Sequence, residues 1–177
     1  ALDLFATIHT LGQPFTQFPG YTPVQKTIAA HPLDVDLAMM VKVIPNPYSK
    51  SIKDARAIQI DAGQNLSYVQ RTITVKAGES IKLTFNNPDV VPHNLVLVKP
   101  GALETVGQEA NRLVADPEAV THHYVPKSND VLVYTDIVQP DTRGTIYFKA
   151  PSAKGRYPYL CTFPGHWMVM NGVMIVE

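Results

Sequence analysis

An all-β sandwich is the fold class this sequence predicts, on three observations. From Ile58 onward, apolar and polar residues alternate in short runs divided by turn residues. With 177 residues and 45% apolar composition, the chain can bury one core and still leave length for a substantial extension. Only one stretch switches to helical spacing, so a single helix interrupts the strands.

The elements follow in order. AIQIDAG (57–63) and LSYVQRTITV (66–75) read as strands, and KAGE then turns the chain into SIKLTFNN (80–87). There Ile81, Leu83 and Phe85 alternate with Lys82 and Thr84, which points one face inward and the other outward. HNLVLV (93–98) is the next strand. After KPG, Leu103, Val106, Ala110 and Leu113 recur at helical spacing within ALETVGQEANRLVADPEAV (102–120), which predicts a helix of about three to four turns. VLVYTDIV, TIYFKA, RYPYLC and VMIVE bring the total to roughly eight strands.

Residues 1–54 differ in character. They hold Pro14, Pro19, Pro23, Pro32, Pro45 and Pro47 and only fragments of periodicity, such as VQKTIAA and LDVDLAMM. Leu4, Phe5, Phe15, Phe18, Leu37, Met39 and Met40 are too many apolar residues for a free linker, so the segment is expected to pack on the sandwich with a short helix. An equal alternative makes it the joint to another domain of a larger polypeptide. The division expected is an extension over 1–54 and a domain over 55–177.

Fifteen Lys and Arg balance fifteen Asp and Glu, so there is no electrostatic footprint for nucleic acid or an anionic membrane. No run of about 18 apolar residues exists to span a bilayer, and ALDLFATIHT lacks the basic and apolar regions of an export signal. The expectation is a soluble protein whose export signal was removed or belongs to a longer precursor.

The single cysteine, Cys161, rules out an internal disulfide and leaves one thiol to explain. Cys161-Thr-Phe-Pro-Gly-His166-Trp-Met-Val-Met170 places a thiolate, an imidazole and a thioether within ten residues, between YPYLC and GVMIVE. One Cys, two His and a weak axial Met suit a copper ion that cycles between Cu(I) and Cu(II), because the set matches neither state's preferred geometry strongly. The loop cannot close such a site alone. His93 supplies the missing imidazole: Pro92 stiffens the approach to it, and the Asn94 side chain can tie one ligand loop to the other.

This pattern, Cys161, His166 and Met170 with an upstream His93-Asn94 and the segment CTFPGH, resembles the azurin and auracyanin branch of the cupredoxins over roughly residues 56–177. The resemblance implies an eight-stranded Greek-key sandwich with one type 1 copper ion at one end. It further implies a weak fifth contact from the Pro92 carbonyl, where azurins carry Gly, and a bridge from Asn94 to Thr162. The backbone N–H groups of Asn94 and Phe163 would point at the Cys161 sulfur. The disulfide that azurins carry is missing here.

Other residues compete for these roles. His122 and His123 are adjacent, so their side chains diverge, and solvent exposure is expected for both; His9 and His31 lie in the extension without ligand context. Met168 and Met174 compete with Met170, which spacing favours as the axial ligand. Met168 is expected in the apolar surface over the copper. Trp167 either packs under the loop or, as we expect, joins Met168 in a docking surface beside His166, whose ring edge in this family is the electron exit.

The function expected is one-electron transfer between redox proteins, such as a c-type cytochrome or another electron carrier, with no substrate transformed. The rivals are an electron-entry domain of a larger redox enzyme and a copper carrier or storage protein. Multicopper oxidases and nitrite reductases need additional His-x-His ligands, which do not occur. Thiolate-ligated copper is kept out of the reducing cytosol, so a periplasmic or other extracytoplasmic location is expected by family analogy.

Overall fold

Strict alternation in SIKLTFNN does what it predicts: Ile81, Leu83 and Phe85 are buried while Lys82 between them is exposed. The computed structural model describes residues 44–177, and its strands are β1 (Arg56–Gly63), β2 (Ser67–Tyr68), β3 (Thr72–Val75), β4 (Ser80–Asn87) and β5 (Val96–Val98). The helix α1 (Leu103–Arg112) follows, extended by a 3-10 turn at Leu113–Ala115. Then come β6 (Val131–Tyr134), β7 (Thr142–Lys149), β8 (Gly155–Leu160) and β9 (Asn171–Val176). The sheets run β2-β1-β4-β7 and β3-β9-β8-β5-β6, with β1/β4 and β3/β9 parallel and the other pairs antiparallel.

The described residues thus hold nine strands rather than eight, because LSYVQRTITV is not one strand. Its first part pairs with β1 in one sheet and its last part with β9 in the other, so the chain changes sheets between them. Val69 sits at this crossing 63% exposed, and its N–H is met by the Asp61 carbonyl at 2.9 Å. The crossing joins the two layers along one side. Between the layers lies the main core, in which Tyr68 stacks edge-on to both Phe85 and Tyr159.

β5 shows no alternation, since Val96, Leu97 and Val98 are all buried. Leu97 faces the main core, whereas Val96 and Val98 join a second apolar cluster with Val106 and Leu160 beneath α1. A strand covered on both faces reads as a continuous apolar run. The inserted helix is the cover.

Of the 1–54 segment, residues 1–43 lie outside the described residues, and with them His9, His31 and the short helix expected there. Residues 44–54 are described. Tyr48 accepts a hydrogen bond from the Tyr147 N–H of β7 at 2.7 Å, and its hydroxyl donates to the Leu132 carbonyl of β6 at 2.7 Å. It thereby straps the edge strand of one sheet to the edge strand of the other, satisfying edge groups that would otherwise be open for pairing.

Candidate metal centre

Two loops and a bridge build the site at one end of the sandwich. His93 precedes β5 instead of beginning it, and forms an isolated bridge with Val138: its N–H donates at 3.1 Å and its carbonyl accepts at 2.7 Å. The loop leading to it is pinned by Asn87, which is fully buried and donates to the carbonyls of Val91 and Val138, both at 2.9 Å. On the other side, Cys161 immediately follows β8 and donates its N–H to the Met170 carbonyl at 3.0 Å. That bond closes the 161–170 loop on itself. Inside it the N–H groups of Met170 and Val169 both point to the His166 carbonyl, and Gly165 takes the turn at φ +83°.

These elements bring His93, Cys161 and His166 together, with their donor atoms all within 4.8 Å of one another. The His93 Nδ1 to His166 Nδ1 distance is 3.2 Å, and the Cys161 Sγ lies 3.8 Å and 3.6 Å from the two nitrogens. Three ligands about 2.0–2.3 Å from an ion in a trigonal plane would stand about 3.5–3.8 Å apart. His93, Cys161 and Met170 are fully buried, and His166 retains 9% exposure. Met170 packs in the same cluster as Cys161.

The electrostatics follow from burial. Desolvation pushes the Cys161 thiol up to about 12, opposed by the backbone N–H groups of Asn94 and Phe163, which point at the sulfur. The His166 imidazole is held down to about 4, mainly by burial and then by neighbouring His93. His93 is lowered by burial against the opposing pull of Asp89. Both imidazoles are therefore neutral near pH 7. At 3.2 Å the two nitrogens either share one N–H in a hydrogen bond or flank a cation, and with the Cys161 sulfur beside both of them the set of two imidazoles and a thiolate fits a thiophilic metal ion.

Asn94 is fully buried and ties the loops: its Nδ2 donates to Thr162 Oγ1 at 2.7 Å and to the His123 carbonyl at 2.9 Å, while its Oδ1 accepts the Thr162 N–H at 2.7 Å. The Asn94 carbonyl in turn accepts the Tyr68 hydroxyl at 2.7 Å. Pro92, half-buried, directly precedes the His93 bridge. Phe163 is half-buried with its ring centroid 5.0 Å from that of His166.

Two expectations need correction. His123 is buried, not solvent-exposed, because φ near +56° turns it inward, where its Nδ1 accepts the Ile137 N–H at 3.2 Å and its Nε2 lies 3.1 Å from the Asp136 carboxylate. His122 beside it is half-buried. Trp167 does not lie flat on the surface. Its indole presses on Gly107 of α1, so closely that a Cβ there would stand 2.2 Å from the ring. The exposed apolar residues next to His166 are Met168 and Val169, at 62% and 51%.

Two contacts escaped the sequence reading. Asp89 Oδ2 lies 3.1 Å from His93 Nε2, and its position four residues before the His was the available signal. Gly107 receives the indole, and a glycine on the buried face of a helix was the signal there.

Residues 55–177 match the family described as copper binding proteins, plastocyanin/azurin family. The chain belongs to this family. Auracyanin-A of Chloroflexus aurantiacus is 35% identical over 118 residues, covering 65% of this chain and 70% of that one. Its solved structure, titled a "blue" copper protein, superposes with a TM-score of 0.62 at 30% identity, over 70% of this chain and 99% of that one. Reduced auracyanin from Roseiflexus castenholzii gives 0.60 at 35% identity, over 70% and 98% of the two chains. Azurin iso-2 of Methylomonas sp. is 29% identical over 126 residues, covering 67% of this cupredoxin and 95% of its own length. The metal of the family is copper, and the donor chemistry described above fits one type 1 ion.

Proposed function

We propose that this cupredoxin carries single electrons between redox proteins, with copper held by His93, Cys161 and His166, Met170 as axial ligand and the Pro92 carbonyl as a weak further contact. Bound copper supplies the Cu(I)/Cu(II) couple. The observation that carries the proposal is a buried set of Cys, two His and Met, pinned by backbone bonds on both loops. Ligands held in this way move little when the charge on the ion changes, which keeps electron transfer fast. With three of the four side chains fully buried, a substrate has no access to the ion, so electron exchange and not catalysis fits the site. The same burial argues against a carrier that hands its ion to another protein.

His166 has the one ligand ring with exposure, and Met168 and Val169 beside it offer an uncharged contact area for a redox partner such as a c-type cytochrome. The exposed part of Trp167 would border it. No helix among the described residues is long and apolar enough to cross a membrane. An extracytoplasmic location, periplasmic in a two-membrane cell, suits a thiolate-copper centre. We take residues 55–177 as the electron-transfer domain and 1–54 as an extension. Since the family match begins at residue 55, the alternative is that the extension joins this domain to another redox unit.

Loading with Cu(II) tests the proposal. An intense absorption near the red end of the visible spectrum is expected, abolished by Cys161→Ser and unchanged by His122→Ala. A colourless or pale wild-type product would remove the electron-transfer function.

A further inference from the structure

We infer that Asp89 is a positioning residue for the metal centre: its carboxylate fixes His93 with the proton on Nε2 and the Nδ1 lone pair inward, and its charge biases the ion toward Cu(II). The inference rests on the electron-transfer reading above.

The geometry is specific. An ionised carboxylate only accepts hydrogen bonds, so the 3.1 Å contact between Asp89 Oδ2 and His93 Nε2 requires the hydrogen on Nε2. The neutral ring then has no hydrogen left for Nδ1, the atom that faces His166 Nδ1 and the Cys161 sulfur. His93 is fully buried, and among the described residues Asp89 is the partner of its Nε2. Without that partner the ring can turn over, which presents Cδ2–H to the metal, or take the other tautomer, which presents N–H; either change removes the inward lone pair.

Asp89 is itself held in place. Its Oδ1 accepts the Val90 N–H at 2.7 Å, and its own N–H donates to Asn87 Oδ1 at 3.1 Å. Asn87 also holds the Val91 and Val138 carbonyls, so one buried amide positions both the carboxylate and the bridge that carries His93. The Asp89 side chain keeps 23% exposure, which leaves it ionised while its inner oxygen reaches the buried ring. A carboxylate behind a ligand imidazole raises the basicity of the ligating nitrogen and adds negative charge near the ion. Both effects stabilise the more highly charged oxidation state.

Two substitutions separate orientation from charge. Asp89→Asn retains an oxygen that can accept the Nε2–H but removes the charge. Asp89→Ala removes both. With Asp89→Asn, the intense Cu(II) absorption should persist, while the Cu(II)/Cu(I) ratio at a fixed solution potential falls about tenfold, as expected for one charge lost at this range through partly screened protein. With Asp89→Ala, the ratio should fall at least as far. In addition, the slowly exchanging His93 Nε2–H, followed by NMR in the diamagnetic Cu(I) protein, should be lost, and copper should dissociate faster. An Asp89→Asn protein with the wild-type ratio would overturn the charge role. A protected Nε2–H in Asp89→Ala would overturn the positioning role. If Asp89→Ala does not fold, the same NMR signal in wild-type protein decides, since its absence there refutes the Nε2 tautomer. Failure of the electron-transfer reading would show separately, as a wild-type Cu(II) protein without the intense band.

Discussion

Raising the pH should strengthen metal binding by one proton per ion across an unusually wide window. The perturbation is pH alone, applied to metal-free protein competing anaerobically with a chelator for Cu(I). In the metal-free site the Cys161 thiol is protonated up to about 12 and the His166 imidazole stays neutral down to about 4, both through burial. His93 is lowered in the same direction as His166. Binding from about pH 6 to pH 10 therefore displaces the Cys161 proton and no other. The apparent affinity should rise about tenfold per pH unit, about 1.4 kcal/mol, and about ten-thousandfold over the whole range. Ordinary ligands would behave differently: histidines titrating near 6.5 would steepen the dependence below that pH, and a thiol near 8.5 would flatten it above about pH 9. Proton release can be checked independently by calorimetry in buffers of different ionisation enthalpy. A plateau above pH 9, or two protons released at pH 6, would refute the argument from burial.

Other consequences follow from the same structure. Gly107→Ala drives a methyl group into the Trp167 indole, and should cost about 1–3 kcal/mol in chemical denaturation of the metal-free protein while disturbing the visible spectrum of the Cu(II) form. Tyr48→Phe removes the hydroxyl bond to the Leu132 carbonyl and should cost about 1 kcal/mol, with the absorption of the metal centre unchanged. Metal-free protein should lose stability on acidification: the folded His166 value of about 4 lies below the usual 6.5, so the unfolded chain takes up the proton first. That loss begins as pH falls through 6.5 and levels off near 4, by roughly 2–3 kcal/mol from this residue, and is read from urea midpoints. A midpoint independent of pH between 7 and 4 would contradict it.

The loop from Cys161 to Met170 was legible in the sequence because ligand spacing on one loop is a local property, and so was the alternating pattern of β4. His93 was legible only by what the loop lacked. Local pattern could not show that LSYVQRTITV divides between two sheets, since Ser67–Tyr68 and Thr72–Val75 have equal strand character and the division depends on partners far along the chain. The burial of His123 was hidden for a similar reason. Its positive φ belongs to a turn whose purpose, offering a carbonyl to Asn94, exists only once the two loops meet. Asp89 and Gly107 act across space on residues already singled out, and each looks ordinary in its own segment.

The contact between Trp167 and Gly107 bears on any attempt to move the metal-binding loop between scaffolds. Ten residues from Cys161 to Met170 look like a portable cassette, clipped at its base by a single backbone bond. The indole in their midst is seated in a socket that belongs to another part of the chain, opened by the missing side chain at Gly107. A recipient without that glycine would expel the ring and swing the neighbouring His166. A donor loop without the tryptophan would leave an indole-sized hole beneath this helix. Loop and helix are one interchangeable unit, and a graft that respects the ligand spacing alone would transfer the ligands without the support that aims one of them.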